Sequence, residues 1–155
     1  MELEKAENIA RGLIKKYLTE IGGYCNWEFS WDNAKKRFGC CKFKTQKIQL
    51  SRPLTIINTE QNVIDTILHE IAHALAGAKN GHNIIWRRKA MELGCSSLRC
   101  GSGDVIEGKY IGVCPNCHKE TKRVHKRFNL ACGECCKKYN HGEYSEKYKL
   151  QYREA

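Results

Sequence analysis

The sequence predicts an α+β fold in two parts, in which helices and a small antiparallel sheet precede a cysteine-rich β region. Before residue 94, apolar residues recur with a period near 3.6 in some stretches and alternate in others, as helices and half-buried strands require. After Gly94, serine, glycine and cysteine become frequent, and two Cys-x-x-Cys pairs follow. A chain of 155 residues can form one domain with a core and a small appendage. We therefore predict domains at residues 1–100 and 101–155.

The first third of the chain reads as one helix followed by three strands. Apolar residues at helical spacing predict a helix from Leu3 to about Glu20, which two glycines end. Alternating apolar and polar residues then predict half-buried strands at residues 27–31, 37–43 and 47–51. We expect these three strands to form the small antiparallel sheet.

Two helices are predicted after the third strand. Pro53 ends that strand, and Asn58 with Gln61 resembles a capping box at the start of a long helix. The glycine-containing residues 77–81 read as a turn that ends this helix. A second helix is then predicted over residues 83–93.

The long helix carries the sequence His69-Glu70-Ile71-Ala72-His73. Histidines four residues apart project from one helical face about one turn apart, so both imidazoles can bind one zinc ion. Glu70 lies beside them, where a carboxylate can take a proton from a zinc-bound water instead of binding the metal. The pattern is therefore typical of a hydrolase.

Two further observations argue against a chance occurrence of this motif. A helical wheel places the apolar residues of the helix in one arc, and His69 and His73 fall nearly opposite that arc. His82 follows across a turn, where it can complete a three-histidine site with an open fourth position. The alternative is an ordinary amphipathic helix whose histidines face solvent or are hydrogen-bonded.

The region from Lys109 onward reads as a zinc ribbon. A short strand and a basic hairpin accompany four cysteines in two Cys-x-x-Cys pairs: Cys114, Cys117, Cys132 and Cys135. Each tight turn offers two thiolates, and four thiolates close a tetrahedron, so we expect this zinc to be structural. Cys136 leaves the register of the second pair open, although the spacing favours Cys135.

The formal net charge of +10 favours an anionic partner such as nucleic acid. Residues 109–155 carry 11 Lys and Arg against 5 Asp and Glu. In the hairpin between the two cysteine pairs, we predict a clamp for a DNA or RNA backbone at Lys122, Arg123, Lys126 and Arg127. A basic surface that only keeps the protein soluble is the alternative.

The sequence also predicts a soluble protein of a reducing compartment. It shows neither an export signal nor a run of some 18 apolar residues. We therefore expect its ten cysteines to bind metal or remain buried thiols, with Cys95 and Cys100 as a weaker candidate ligand pair. We expect a cytoplasmic monomer without membrane contact, nuclear or nucleoid-associated in a eukaryotic host or when bound to DNA.

Together these motifs resemble the SprT-like family of zinc metallopeptidases, relatives of the Spartan proteases that digest proteins crosslinked to DNA. The resemblance rests on the N-terminal helix and on these stretches: Trp27 to Trp31, Arg37-Phe38-Gly39, Ile48 to Ser51, the His-Glu-x-x-His helix, Gly81-His82 with Trp86, and the four ribbon cysteines. Eight residues separate His73 from His82. This loop is shorter than in Spartan-type members and closer to compact microbial and phage-like versions.

The resemblance implies a zincin-like metallopeptidase domain followed by a zinc ribbon. It implies that His69, His73 and His82 bind a catalytic zinc ion, that Glu70 is the base, and that the ribbon cysteines hold a second zinc. The implied activity is cleavage of peptide bonds in DNA-associated or DNA-crosslinked proteins. As the DNA partner we expect single-stranded DNA. The alternative is a non-catalytic zinc-ribbon protein that binds DNA or RNA or takes part in transcription.

Overall fold

The computed structural model describes residues 1–95 and 103–155. The chain divides into two compact units. The N-terminal unit comprises Met1–Val105 and the C-terminal unit comprises Ile106–Ala155. The predicted boundary between residues 100 and 101, together with Cys100, lies outside the described residues. Helices and small sheets occur together, which confirms the α+β class. No helix in the described ranges has the length and apolar character that crossing a membrane requires.

The N-terminal unit contains four α-helices and three strands among its described residues. Helix α1 (Leu3–Ile14) continues as a π-helical segment (Lys15–Ile21), so the predicted first helix is present. The elements that follow are β1 (Glu28–Asp32), β2 (Gly39–Lys42), β3 (Lys47–Ser51), α2 (Arg52–Ile57), α3 (Glu60–Ala76) and α4 (Ile84–Glu92).

The sheet of this unit is mixed, and the predicted antiparallel sheet is wrong. Strand β3 lies in the middle, antiparallel to β2 but parallel to β1. Residues 33–38 separate β1 from β2, too many for a two-residue hairpin, and they carry β2 to the far side of β3. The tight turn lies instead between β2 and β3, where Gln46 adopts a φ of 49°. Local alternation predicted the strands but carried no information about their partners.

Residues 52–57 form a helix that the sequence pattern did not predict. Pro53 lies in the first turn of this helix, where a missing N–H group is tolerated, so it begins a helix as well as ending a strand. Helix α3 is capped by the side chain of Thr59 rather than by Asn58. Asn58 is buried, and its side chain forms hydrogen bonds with the backbone of Asp104 instead.

Helix α3 has two apolar faces and packs against other elements on both. One face joins the core formed with α1, β1 and β3, through Val63, Ile67, Ile71 and Ala74. The other face packs against α4, where Leu68 and Ala72 contact Trp86. Burial of a large apolar side chain contributes about 1.5–3 kcal/mol, so rotation of the helix would be costly. The core therefore fixes which side of α3 presents the histidines.

The C-terminal unit is a three-stranded antiparallel sheet with one short α-helix and a 3-10 helix at Glu146–Tyr148. Its elements are β4 (Tyr110–Val113), β5 (Glu120–Arg123), α5 (Gly133–Tyr139) and β6 (Gln151–Glu154). Strand β4 lies between β5 and β6. The end of the chain thus supplies a third strand. The buried core of this unit consists of Cys114, Cys132, Cys135, Cys136, Tyr148 and Leu150. This is little apolar material for a stable fold.

Candidate metal centres

The loop between α3 and α4 reverses the chain so that His82 returns to the motif helix. Gly77 ends α3 with a φ of 85°, and its N–H donates to the carbonyl of His73 at 3.0 Å. Gly81 has a φ of 45°. Both values lie in the left-handed region, which a residue without Cβ adopts at the least cost. The two glycines therefore permit a reversal within eight residues.

Asparagine side chains hold the same loop in place. Asn80 donates its side-chain amide to the carbonyl of Ala76, and Asn83 donates its own to the side-chain oxygen of Asn80 at 2.9 Å. The Asn83 side-chain oxygen also accepts two backbone N–H groups of the first turn of α4, at 3.0 and 3.2 Å. His82 is therefore fixed directly before a capped helix.

The three predicted histidine ligands converge in space. Nε2 of His82 lies 3.1 Å from Nε2 of His69 and 3.2 Å from Nε2 of His73. Two nitrogen ligands bound tetrahedrally to zinc at about 2.0–2.1 Å would lie roughly 3.3–3.4 Å apart. The arrangement therefore fits one zinc ion with three protein ligands, and the histidines line a cleft that offers space for a fourth ligand.

The protein environment keeps the imidazoles of His69 and His73 neutral. Burial lowers the pKa of His69 and of His73 to about 4, and the neighbouring imidazoles contribute in the same direction. Neutral imidazole is the form that binds a metal ion. The neutral state of these imidazoles and the distances between the nitrogen atoms thus both favour metal binding.

Trp86 lies against all three histidines. Its ring centroid is 4.6 Å from that of His69, 5.2 Å from that of His73 and 4.5 Å from that of His82. The indole is fully buried, so it excludes water from the inner side of the three rings. In the sequence, Trp86 stands out only as part of the family motif. Its contact with every ligand could not be read from the spacing.

Glu70 is buried beside the histidines and faces β2. The residue is 8% exposed, and burial raises the pKa of its carboxyl to about 7. The backbone N–H of Cys41 and the charge of Arg37 act in the opposite direction. A carboxyl with a pKa near the ambient pH can both accept and release a proton. The predicted base therefore lies in an environment that suits proton transfer.

A cleft of about 670 Å³ opens beside Glu70 and the three histidines. This volume is within the range of about 300–1,000 Å³ that is usual for ligand sites. Arg37 lines the cleft and donates a hydrogen bond to Asp32. Its place in the cleft was not predicted, because only the fold brings residues 37–41 next to α3. The cleft offers room for a substrate next to the candidate metal site.

The four predicted cysteines form the second cluster. Sγ of Cys114 lies 3.7 Å from Sγ of Cys135, and Sγ of Cys117 lies 3.7 Å from Sγ of Cys132. Four thiolates bound tetrahedrally to zinc at about 2.3 Å would lie roughly 3.8 Å apart. The cluster therefore fits one zinc ion with no position left open. Cys136 is buried nearby but is not part of the cluster.

Backbone groups of the first cysteine pair favour a thiolate. Burial alone would raise the pKa of Cys114, but the N–H groups of Cys117 and Asn116 lower it to about 7. The side-chain amide of Asn116 also donates to Sγ of Cys135 at 3.5 Å. Cys95, proposed as a weaker ligand, lies in the core of the N-terminal unit, and its partner Cys100 is outside the described residues.

The four predicted nucleic-acid contacts do not share one surface of the C-terminal unit. Lys122 and Arg123 are consecutive in β5 and point to opposite faces of the sheet. Arg123 is directly opposite Tyr110 in the antiparallel pair, and Nζ of Lys126 lies 4.8 Å from the Tyr110 ring centroid. Arg127 is exposed in the loop after β5. Only Arg123 and Lys126 are thus brought together, around Tyr110.

Three convergent histidines, a buried carboxylate and an adjoining cleft form a candidate metal site of the kind that metallopeptidases use. A family model described as "SprT-like family" matches residues 10–106, a range that includes His69, Glu70, His73 and His82. This chain therefore belongs to the SprT-like family, which confirms the resemblance seen in the sequence and indicates a metalloprotease-type function. The comparison with curated proteins gave no match.

Proposed function

We propose that this protein is a zinc-dependent endopeptidase that acts on DNA-associated or DNA-crosslinked proteins. In this proposal the N-terminal unit is a zincin-like catalytic domain and the C-terminal unit is a zinc ribbon. The observation that carries it is that three convergent imidazoles and the buried Glu70 line the same cleft. A site that only stabilised the fold would need neither an open ligand position nor a carboxylate beside it.

The histidines hold the metal ion in this proposal. Imidazole is a donor that suits zinc, and the distances from Nε2 of His82 to Nε2 of His69 and of His73 are close to those of a tetrahedral site. When bound, zinc supplies a Lewis acid that acidifies water and polarises the carbonyl of a peptide bond. Trp86 supports the three rings from behind and keeps them oriented toward one point.

Glu70 transfers the proton during hydrolysis. Its carboxylate accepts a proton from the water that attacks the carbonyl carbon, as the new C–O bond forms. It then returns this proton to the leaving nitrogen as the C–N bond breaks, so the carboxylate is regenerated. Burial against β2 restricts the carboxylate to the side of α3 that faces the cleft.

The C-terminal unit binds DNA in this proposal, with single-stranded DNA preferred. The excess of basic residues in residues 109–155 supports an anionic partner. Lys126 lies over the ring of Tyr110, and Arg123 is the cross-strand partner of Tyr110. A ring with an adjacent cation suits an exposed base and its phosphate. The closed four-cysteine cluster supports this surface but takes no part in the chemistry.

A cleavage assay tests the proposal. The zinc-loaded full chain is incubated with a lysine-rich linker histone, with and without a single-stranded oligonucleotide, and products are resolved on a gel. We expect DNA-stimulated cleavage by the wild type and none by Glu70→Gln, which should still contain two zinc ions per chain. The control Glu92→Gln changes an exposed glutamate on α4 and should cleave at the wild-type rate.

Two outcomes would contradict this proposal in different ways. Cleavage by Glu70→Gln at the wild-type rate would remove Glu70 from the mechanism. Salt-sensitive DNA binding without cleavage under any condition would favour the alternative, a non-catalytic zinc-ribbon protein that binds nucleic acid.

A further inference from the structure

Gly39 approaches Glu70 more closely than any side chain would allow. A Cβ atom at Gly39 would lie 2.8 Å from Cγ and 2.9 Å from Oε1 of Glu70, and 2.9 Å from Cγ2 of Thr66. Real Cβ atoms essentially never make contacts below 3.0 Å. Gly39 belongs to β2 and is not among the glycines with positive φ, so its backbone would accept any residue. Only the space beside Glu70 and Thr66 requires glycine.

The elements on either side of this contact are held by other interactions. Helix α3 is anchored by fully buried residues such as Ile67 and Ile71, and β2 is paired along its length with β3. The backbone N–H of Cys41, two residues after Gly39, acts on the Glu70 carboxylate as a hydrogen-bond donor. The helix and the strand therefore have little freedom to separate, whereas the carboxylate ends a flexible side chain.

We propose that Gly39 is a positioning residue of the active site, because its missing Cβ leaves the space in which the Glu70 carboxylate lies against β2. This proposal rests on the proposed role of Glu70 in hydrolysis. A methyl group at position 39 displaces the carboxylate and leaves the three histidines in place, since the nearest atoms to that methyl group belong to Glu70 and Thr66. Misplacement of a catalytic group by about 1 Å can reduce the rate by ~100-fold.

The substitution Gly39→Ala tests this role, with Gly12→Ala as the matched control. Gly12 lies in α1, and a Cβ atom there meets no atom within 4 Å. In a crystal structure of zinc-loaded Gly39→Ala, we expect the Glu70 carboxylate to be displaced and the three Nε2 atoms to stay where they are. For cleavage of linker histone, kcat should fall about 100-fold with little change in KM. Gly12→Ala should keep the wild-type kcat.

An undisplaced carboxylate or a wild-type kcat in Gly39→Ala would overturn the proposal. The crystal structure distinguishes this failure from failure of the proposed function, because it reads the position of Glu70 even if the wild type cleaves nothing.

A second variant separates the positioning of Glu70 from the packing of Thr66. Gly39→Ala combined with Thr66→Ser removes Cγ2 but keeps the hydroxyl that donates to the carbonyl of Asn62 at 2.8 Å. Both contacts with Glu70 remain, so kcat should stay low. Recovery of the full kcat would assign the close approach to Thr66 and overturn the proposal. Failure of both variants to fold would also overturn it, because Gly39 would then support the whole unit.

Discussion

The two clusters of candidate metal ligands differ in how much of the ion they would enclose. In the N-terminal unit, three nitrogen atoms converge beside a cleft and a buried carboxylate. In the C-terminal unit, four sulfur atoms form a closed set within a core made largely of cysteines. An open set of ligands suits catalysis, whereas a closed set suits stabilisation of a small fold. One chain thus carries both kinds of candidate ligand set.

The largest expected effect of this difference concerns folding. A structural zinc ion contributes about 10–16 kcal/mol to folding in small domains, and the C-terminal unit has few other core residues. Cys114→Ser should therefore make residues 106–155 sensitive to limited proteolysis, while the N-terminal unit, with its own apolar core, stays resistant. The exposed Cys25 provides the control Cys25→Ser, which should resemble the wild type. Full protection of residues 106–155 in Cys114→Ser would show that the cluster is dispensable for folding.

The second effect concerns metal affinity at the open site. Removal of an outer partner of a metal ligand typically costs about 10–100-fold in affinity, so loss of the ligand His82 should cost at least ~100-fold. His82→Ala should keep its fold, because His82 lies in a loop held by asparagines. Competition with a chromophoric chelator measures the change, with the exposed His125 substituted by Ala as control. An unchanged affinity would exclude His82 from the site.

A smaller loss of zinc affinity is expected when Trp86, which contacts the three histidines, is substituted. Trp86→Phe keeps an aromatic ring but reduces the area of the side chain that contacts the three imidazoles. Zinc affinity should fall about tenfold, as for other outer partners of metal ligands. Trp27→Phe changes a tryptophan that packs against Phe43 and should leave the affinity unchanged. Equal effects of the two substitutions would argue against a specific role of Trp86.

The smallest effect concerns the two faces of the C-terminal sheet. Lys126 lies over the ring of Tyr110, whereas Lys122 lies on the opposite face of β5 from Arg123. We expect single-stranded DNA to bind the sheet face that carries Tyr110. Lys126→Ala should then reduce the slope of a plot of log binding constant for DNA against log salt concentration, in magnitude, by about 0.7 per lost phosphate contact. Lys122→Ala should leave that slope unchanged. The reverse result would place DNA on the other face.

Sequence spacing predicted the ligand clusters because their geometry is encoded locally. Histidines four residues apart share a helical face, and each Cys-x-x-Cys turn presents two thiolates. The spacing also favoured Cys135 over Cys136, and the structure places Cys135 in the cluster. Gly77 and Gly81 mark the turn that precedes His82, and both adopt positive φ.

Features that depend on distant partners could not be predicted in this way. The parallel pairing of β1 with β3 depends on the course of the chain between them. The alternation of apolar and polar residues does not indicate that course. Asn58 has the chemistry of a cap, yet its side chain binds Asp104, 46 residues later. The proposed role of Gly39 could not be predicted for the same reason. It depends on Glu70, which lies on a helix that only the fold brings close to Gly39.

The measurement that tests the open and closed sites most directly is anomalous scattering at the zinc edge from crystals of the full chain. We expect two peaks per chain. One should lie about 2.0–2.1 Å from Nε2 of His69, His73 and His82 with a non-protein fourth ligand, and the other about 2.3 Å from the four cysteine Sγ atoms. A single peak, or a protein side chain that fills the fourth position at the histidines, would contradict the assignment of one catalytic and one structural zinc.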